Sequence, residues 1–201
     1  MFWDQAAPFY DLFADVYNRK VHEKLKEIVK SEIKHEDNVL ECACGTGMLS
    51  GAVAPLCASL TATDLSDAML KRTKKKFSAY TNLTFMKADI MNLPFEDEVF
   101  DVSIAANVIH LLDEPLAAIR QLQRVTKKDG KIIIPTYMNK EKSGKESTFS
   151  KTLDHAGADF RQAFTDSSYR SFFDQAGYEN IRFIKIDGRV PCTAAVMINT
   201  K

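Results

Sequence analysis

The chain has 201 residues, 45% of them hydrophobic and 27% charged, with Lys+Arg at 27 and Asp+Glu at 27. That length suffices for one domain with a sizeable core. Its formal charge of zero excludes a global field drawing the protein to nucleic acid or to a membrane surface.

The opening MFWDQAAPFYDLF carries acids and lacks the basic start and long apolar core of a signal peptide. No apolar run approaches membrane-spanning length. Cys42, Cys44, Cys57 and Cys192 form no C-x-x-C pair, and no second pair completes a metal site. Small buried thiols in a reducing, cytoplasmic setting are the expectation.

In chain order, Val21, Leu25, Ile28, Val29 and Ile33 share one face and predict a helix over 19–33. NVLECA predicts a first strand. GMLSGAVAPLC reads as a helix that opens at the glycines and breaks near Pro55, and SLTATD as a second strand. Ser66 is placed to cap a helix running to about Phe77, whose basic run KRTKKKF reads as a solvated face. NLTFMKAD and VFDVSIAAN predict strands three and four. EPLAAIRQLQRVTK predicts a helix with Pro115 in its first turn. KKDG reads as a turn into a fifth strand, KIIIPTY.

After Tyr137 the pattern changes to a polar, weakly periodic insert over 138–165. Thr165 or Asp166 then caps a helix that Gly177 ends. ENIRFIKIDG and CTAAVMINT are strands too close together for a crossover, so they pair antiparallel. The sum is an α/β fold in one domain over 1–201. It is a Rossmann-like, seven-stranded, mostly parallel sheet with helices on both faces and a C-terminal antiparallel hairpin.

A strand, a small-residue turn and a helix make a nucleotide-binding start, because a helix N-terminus has unpaired N–H groups and partial positive charge. Gly45 and Gly47 allow a ligand close to the main chain. Glu41, Asp64 and Asp89 each end one of the first three strands, near the sheet edge where open parallel sheets bind ligands. Three carboxylates suit a ligand with hydroxyls, amines and positive charge better than a pyrophosphate. The register from Gly45 can still be forced near a dinucleotide fingerprint, which keeps an NAD(P)-dependent oxidoreductase as an alternative.

Over roughly residues 36–137, the ordered segments VLECACGTG, ATDLSDAML, ADIMNLPFEDEVFDVSIAANVIHLL and RVTKKDGKIII resemble a known family. It is the class I S-adenosylmethionine-dependent methyltransferases, in the small-molecule group that includes ubiquinone and menaquinone methyltransferases. The resemblance implies S-adenosylmethionine as cofactor and a small-molecule acceptor, with no nucleic acid, no membrane insertion and no metal. It implies that Ala43, Cys44, Gly45 and Gly47 line the methionine part of the cofactor. Asp64 takes the ribose hydroxyls and Leu65 packs on adenine. Asp89 faces the adenine amino group with the Ile90 backbone alongside. The Asn107 backbone holds the ammonium end, and Glu41 stands behind as a supporting acid.

Ala43 departs from the family's usual glycine, and is expected to keep the extended, negative-φ backbone of the strand before it. Asp129 replaces a usual proline. A non-catalytic cofactor-binding module is the third reading, with Ala43 as its hint. Methyl transfer demands alignment and water exclusion more than a fixed catalytic constellation, so no catalytic residue is assigned. His110 reads either as a base or as a structural histidine at a helix start. Tyr137 reads as pocket lining or as packing. Trp3, Tyr10 and Tyr17 belong to an aromatic segment within 1–35 that closes over the cofactor in resembling families, or that packs as an ordinary helix face. Tyr10 is assigned to the cofactor, Trp3 and Tyr17 to the acceptor pocket.

Overall fold

The computed structural model describes residues 18–139 and 161–201. Seven strands form one sheet in the order β3-β2-β1-β4-β5-β7-β6. They are β1 Asn38–Cys42, β2 Ser59–Asp64, β3 Leu83–Lys87, β4 Phe100–Ala105, β5 Thr126–Tyr137, β6 Arg182–Ile186 and β7 Cys192–Ile198. The first five pair in parallel, and β7 runs antiparallel to both β5 and β6. The C-terminal ends of β1 to β5 therefore share one edge.

The helices are α1 Arg19–Glu32, α2 Ser50–Val53, α3 Asp67–Lys76, α4 Pro115–Val125 and α5 Asp166–Gln175. Successive strand residues point to opposite faces, and two cores result. Val39, Ile133, Ala194 and Val196 join Leu25 and Val29 of α1 on one face. Leu40, Ile132, Ile134, Ala195 and Met197 join Ile119 and Leu122 of α4 and Tyr169 and Phe173 of α5 on the other. A strand buried on both faces must be apolar throughout, which is why Ile132 to Ile134 show no alternation.

Local signals set the element ends. Ser66 accepts the Met69 N–H at the start of α3. Thr165 and Ser168 form a reciprocal cap on α5, and Gly177 follows that helix at φ +78°. Asn18, just before α1, donates from Nδ2 to the Val190 carbonyl and so ties the helix to the β6–β7 connection.

Two elements differ from expectation. The segment after the glycines is a turn, then the four-residue α2, then a 3-10 turn over Ala54–Leu56. Helical geometry thus begins at Ser50 instead of at the glycines. KKDG lies within β5: Asp129, at φ +60°, donates its N–H to Asn199 O, and Asn199 returns its N–H to Gly130 O, each at 2.8 Å. This pairing with the chain's last residues absorbs the turn, and a register shift between Phe100 and Val102 marks it.

The segment between 139 and 164 is pinned where it leaves and returns. Asn139 donates its N–H to Phe164 O at 2.7 Å, and Gln162 donates to His110 O at 3.0 Å.

Candidate functional site

At the end of β1 the chain enters the left-handed region, with Ala43 at φ +53°, Gly45 at +54° and Gly47 at +81°. The expectation of an extended Ala43 is therefore corrected. The turn is held from outside: Cys44 N–H donates to Thr63 O on β2 at 2.9 Å, and Gly45 N–H donates to Asp64 Oδ2 at 2.8 Å. Thr73 of α3 donates its hydroxyl to Gly45 O at 2.7 Å. These anchors outweigh the local cost of a left-handed alanine, which is about 1–2 kcal/mol.

The glycines have different uses. A Cβ on Gly45 would meet nothing within 4 Å, whereas on Gly47 or Gly51 it would lie about 2.5 Å from the Phe77 ring. Gly45 leaves open space on the turn. The hollows at Gly47 and Gly51 are filled by the aromatic side chain just beyond α3.

Asp64 does more than the sequence suggested. Its second oxygen accepts the Ser66 N–H at 2.9 Å, so the one carboxylate joins the glycine turn to the start of α3. It is a structural anchor as well as a ribose candidate. Leu65 beside it is exposed at the edge. Glu41 is buried at the end of β1, and Ser50 donates its hydroxyl to Glu41 Oε2. Burial pushes the Glu41 carboxyl up to about 8; the Ser50 hydroxyl pulls it down and the Asp64 charge adds to the rise. Asp89 accepts the Met91 N–H at 2.9 Å, and Ile90 turns its side chain into the second core.

Cys44 packs in the first core, so only its backbone can serve the turn. All four thiols are free and buried. Burial pushes Cys42 and Cys192 up to about 12 and Cys57 up to about 11, and it raises Cys44 further still. They are not thiolates at neutral pH, which removes nucleophilic chemistry.

Asn107, just past β4, also has a left-handed backbone, at φ +52°. Its N–H is spent on Pro135 O at 2.8 Å. That bond fixes the backbone here without using the carbonyl oxygen, the backbone group able to accept from an ammonium, and the side-chain Oδ1 is buried with no partner among the described residues.

On the β4–β5 half of the edge, Tyr137 ends β5 and stands between two histidines. Its Oη lies 2.7 Å from His22 Nε2, and its ring centroid is 6.4 Å from that of His110. Burial pushes the His110 imidazole down to about 4, so it is neutral and weakly basic near pH 7. His22 was missed by sequence reasoning. A signal existed, since the buried stripe of α1 through Leu25 and Val29 also contains His22 and Glu32. Polar residues inside an apolar stripe need partners; Glu32 finds Lys131 and Arg182. Trp3, Tyr10 and Tyr17 lie outside the described residues, as does most of the 138–165 insert.

The sheet order, the tethered glycine turn and the strand-end acids together make the kind of sheet edge at which open α/β folds bind their ligands. Residues 40–134, just under half of the chain, match the family model described as a methyltransferase domain. Its curated relatives include demethylmenaquinone methyltransferases. The protein of Paenarthrobacter aurescens is 32% identical over 137 residues, covering 67% of this chain and 53% of that protein. The protein of Clavibacter sepedonicus is 33% identical over 98 residues, covering 49% and 40%. The chain thus spans about half the length of the curated relatives it matches. Among solved structures, a methyltransferase from Aquifex aeolicus superposes with a TM-score of 0.72 at 17% identity, covering 97% of each chain.

Proposed function

We propose that this protein binds S-adenosylmethionine across the ends of β1, β2 and β3 and methylates a small-molecule acceptor held at the ends of β4 and β5. The observation that carries the reading is the glycine turn, held by Asp64, with open space at Gly45. The residues present fit the cofactor. The turn admits close approach, Asn107 Oδ1 is a buried acceptor that suits an ammonium group, and Leu65 offers an exposed apolar face for a base. When bound, the cofactor supplies a sulfonium methyl that needs no further activation.

The chain's own part is to orient and to exclude water. Ala43, Cys44 and Gly45 present backbone to the methionine end. Asp64, which also accepts the Gly45 and Ser66 N–H groups, is the acceptor for the ribose hydroxyls, and Asp89 and the Ile90 backbone meet the adenine edge. Tyr10 belongs to the cofactor side, and Trp3, Tyr17, His110 and Tyr137 to the acceptor side. The acceptor proposed is a small molecule of the menaquinone-precursor kind, supported by the naming of the curated relatives as demethylmenaquinone methyltransferases. The domain extends over 1–201, with 1–35 and 138–165 shaping the acceptor side. Cytoplasmic residence is proposed from the four free thiols; among the described residues, no helix is long and apolar enough to cross a membrane.

Titration calorimetry and thermal unfolding test this reading. At a hundredfold excess over Kd, S-adenosylhomocysteine stabilises by about 2.7 kcal/mol, a rise in Tm of about 5–10 °C for a domain of this size. A rise with NADH and none with either adenosyl ligand overturns the proposal.

A further inference from the structure

The β4–β5 half of the edge carries one more organised group. Helix α1 brings His22 to hydrogen-bonding distance of Tyr137 Oη, 2.7 Å from Nε2. His22 is 2% exposed, whereas Tyr137 is only half-buried. The histidine is buried, and the phenol at the end of β5 is the member of the pair that keeps exposed surface. His110 stands against the same ring from the turn after β4, and Cys192 is its register partner on β7.

Resting on the reading that this edge binds S-adenosylmethionine, we infer that Tyr137 meets the methyl acceptor, that His22 is its positioning residue, and that the acceptor bears a phenolic or enolic hydroxyl. A neutral amine or a thioether has a lone pair ready for a sulfonium methyl; a hydroxyl must lose a proton and gains from a positioned base. The Tyr137–His22 pair supplies the path. The acceptor O–H gives its proton to Tyr137 Oη while Tyr137 passes its own proton to His22 Nε2. Two O–H bonds break, one O–H and one N–H form, and the electron pair stays on the acceptor oxygen. The negative charge on the acceptor and the positive charge on His22 sum to zero.

The neighbours suit this assignment. His110, held down to about 4 by burial, is neutral near pH 7. It also sets no second positive charge against an imidazolium at His22. Cys192, pushed up to about 12 by burial, is uncharged as well. Of the two histidines beside Tyr137, His22 is the one in hydrogen-bond contact with its hydroxyl.

The test uses the full-length protein saturated with S-adenosylhomocysteine and the chromogenic probe 4-nitrophenol, whose ionised form is read directly by its visible absorbance. Three proteins are compared: wild type, Tyr137→Phe and His22→Gln. The glutamine can still accept the Tyr137 hydrogen bond and so keeps the ring in place, but it cannot take a proton. The expected result is a bound phenol about tenfold more ionised than the free phenol at the same pH in wild type, a shift of about one pKa unit. That shift is lost in both variants, while S-adenosylhomocysteine affinity stays within about threefold. Should His22→Gln fail to fold, Tyr137→Phe, which loses one oxygen, decides alone. A wild type that does not take up the phenol, or equal ionisation in wild type and variants, overturns the inference. Failure to bind S-adenosylhomocysteine overturns instead the reading on which it rests.

Discussion

Replacing Ala43 by glycine probes the turn at its least expected residue. Ala43 sits at φ +53°, where alanine costs about 1–2 kcal/mol and glycine nothing. Two effects oppose the gain. Glycine makes the unfolded chain freer, which costs about 0.4–1 kcal/mol. The Ala43 methyl is also partly buried against the second core, and losing half of a fully buried methylene's worth costs about 0.4 kcal/mol. The balance is a gain of about 0.5 kcal/mol, or about 1–2 °C in Tm. Urea unfolding, with the slope fixed between proteins, resolves a change of that size better than a thermal scan. Because the methyl packs against the core, S-adenosylhomocysteine affinity should change by less than about threefold. A lower midpoint would show that the anchors at Cys44 and Gly45 have relaxed the alanine. An affinity gain above about tenfold, or about 1.4 kcal/mol, would show that the methyl intrudes on the cofactor and would revive the binding-module reading.

Glu41→Gln should change the pH dependence of stability. The folded carboxyl is raised from 4.5 to about 8, so its contribution is full below about 4.5 and is lost as pH rises towards about 8. The variant should be flat across that window where wild type falls by on the order of a few kcal/mol; equal slopes in pH-resolved urea unfolding refute the burial account. Gly51→Ala should destabilise by about 1–3 kcal/mol, because its Cβ would lie 2.4 Å from the Phe77 ring. Adding Phe77→Ala should recover part of that loss in a double-mutant cycle, and strict additivity in the cycle refutes the hollow-filling role.

Much of the fold was legible because its signals are local. Pro115 opens α4, Thr165 caps α5, and the unbroken Ile132 to Ile134 run announces a strand covered on both faces. The glycine turn and Asp64 were legible by order and spacing along the chain. What stayed hidden depends on distant partners. The left-handed Ala43 follows from bonds reaching β2, and no propensity at residue 43 contains them. The KKDG turn joins β5 because Asn199 pairs with it from some 70 residues away. His22 matters through a hydroxyl 115 residues further along. The space that a side chain at Gly47 or Gly51 would need is taken by Phe77, a contact that the glycine turn's own sequence does not contain.

The hydrogen bond from Asn139 to Phe164 makes the chain between them a module with a clasp. Its two ends meet whatever lies between, so the sheet edge does not depend on how many residues the excursion contains. Once a loop is clasped, doubling its length adds only about 0.6 kcal/mol of closure cost. Insertions or deletions between the two residues can therefore be accommodated without disturbing the sheet edge that the clasp closes. The same clasp gives a protein engineer a natural pair of splice points, Asn139 and Phe164, for exchanging the chain between them.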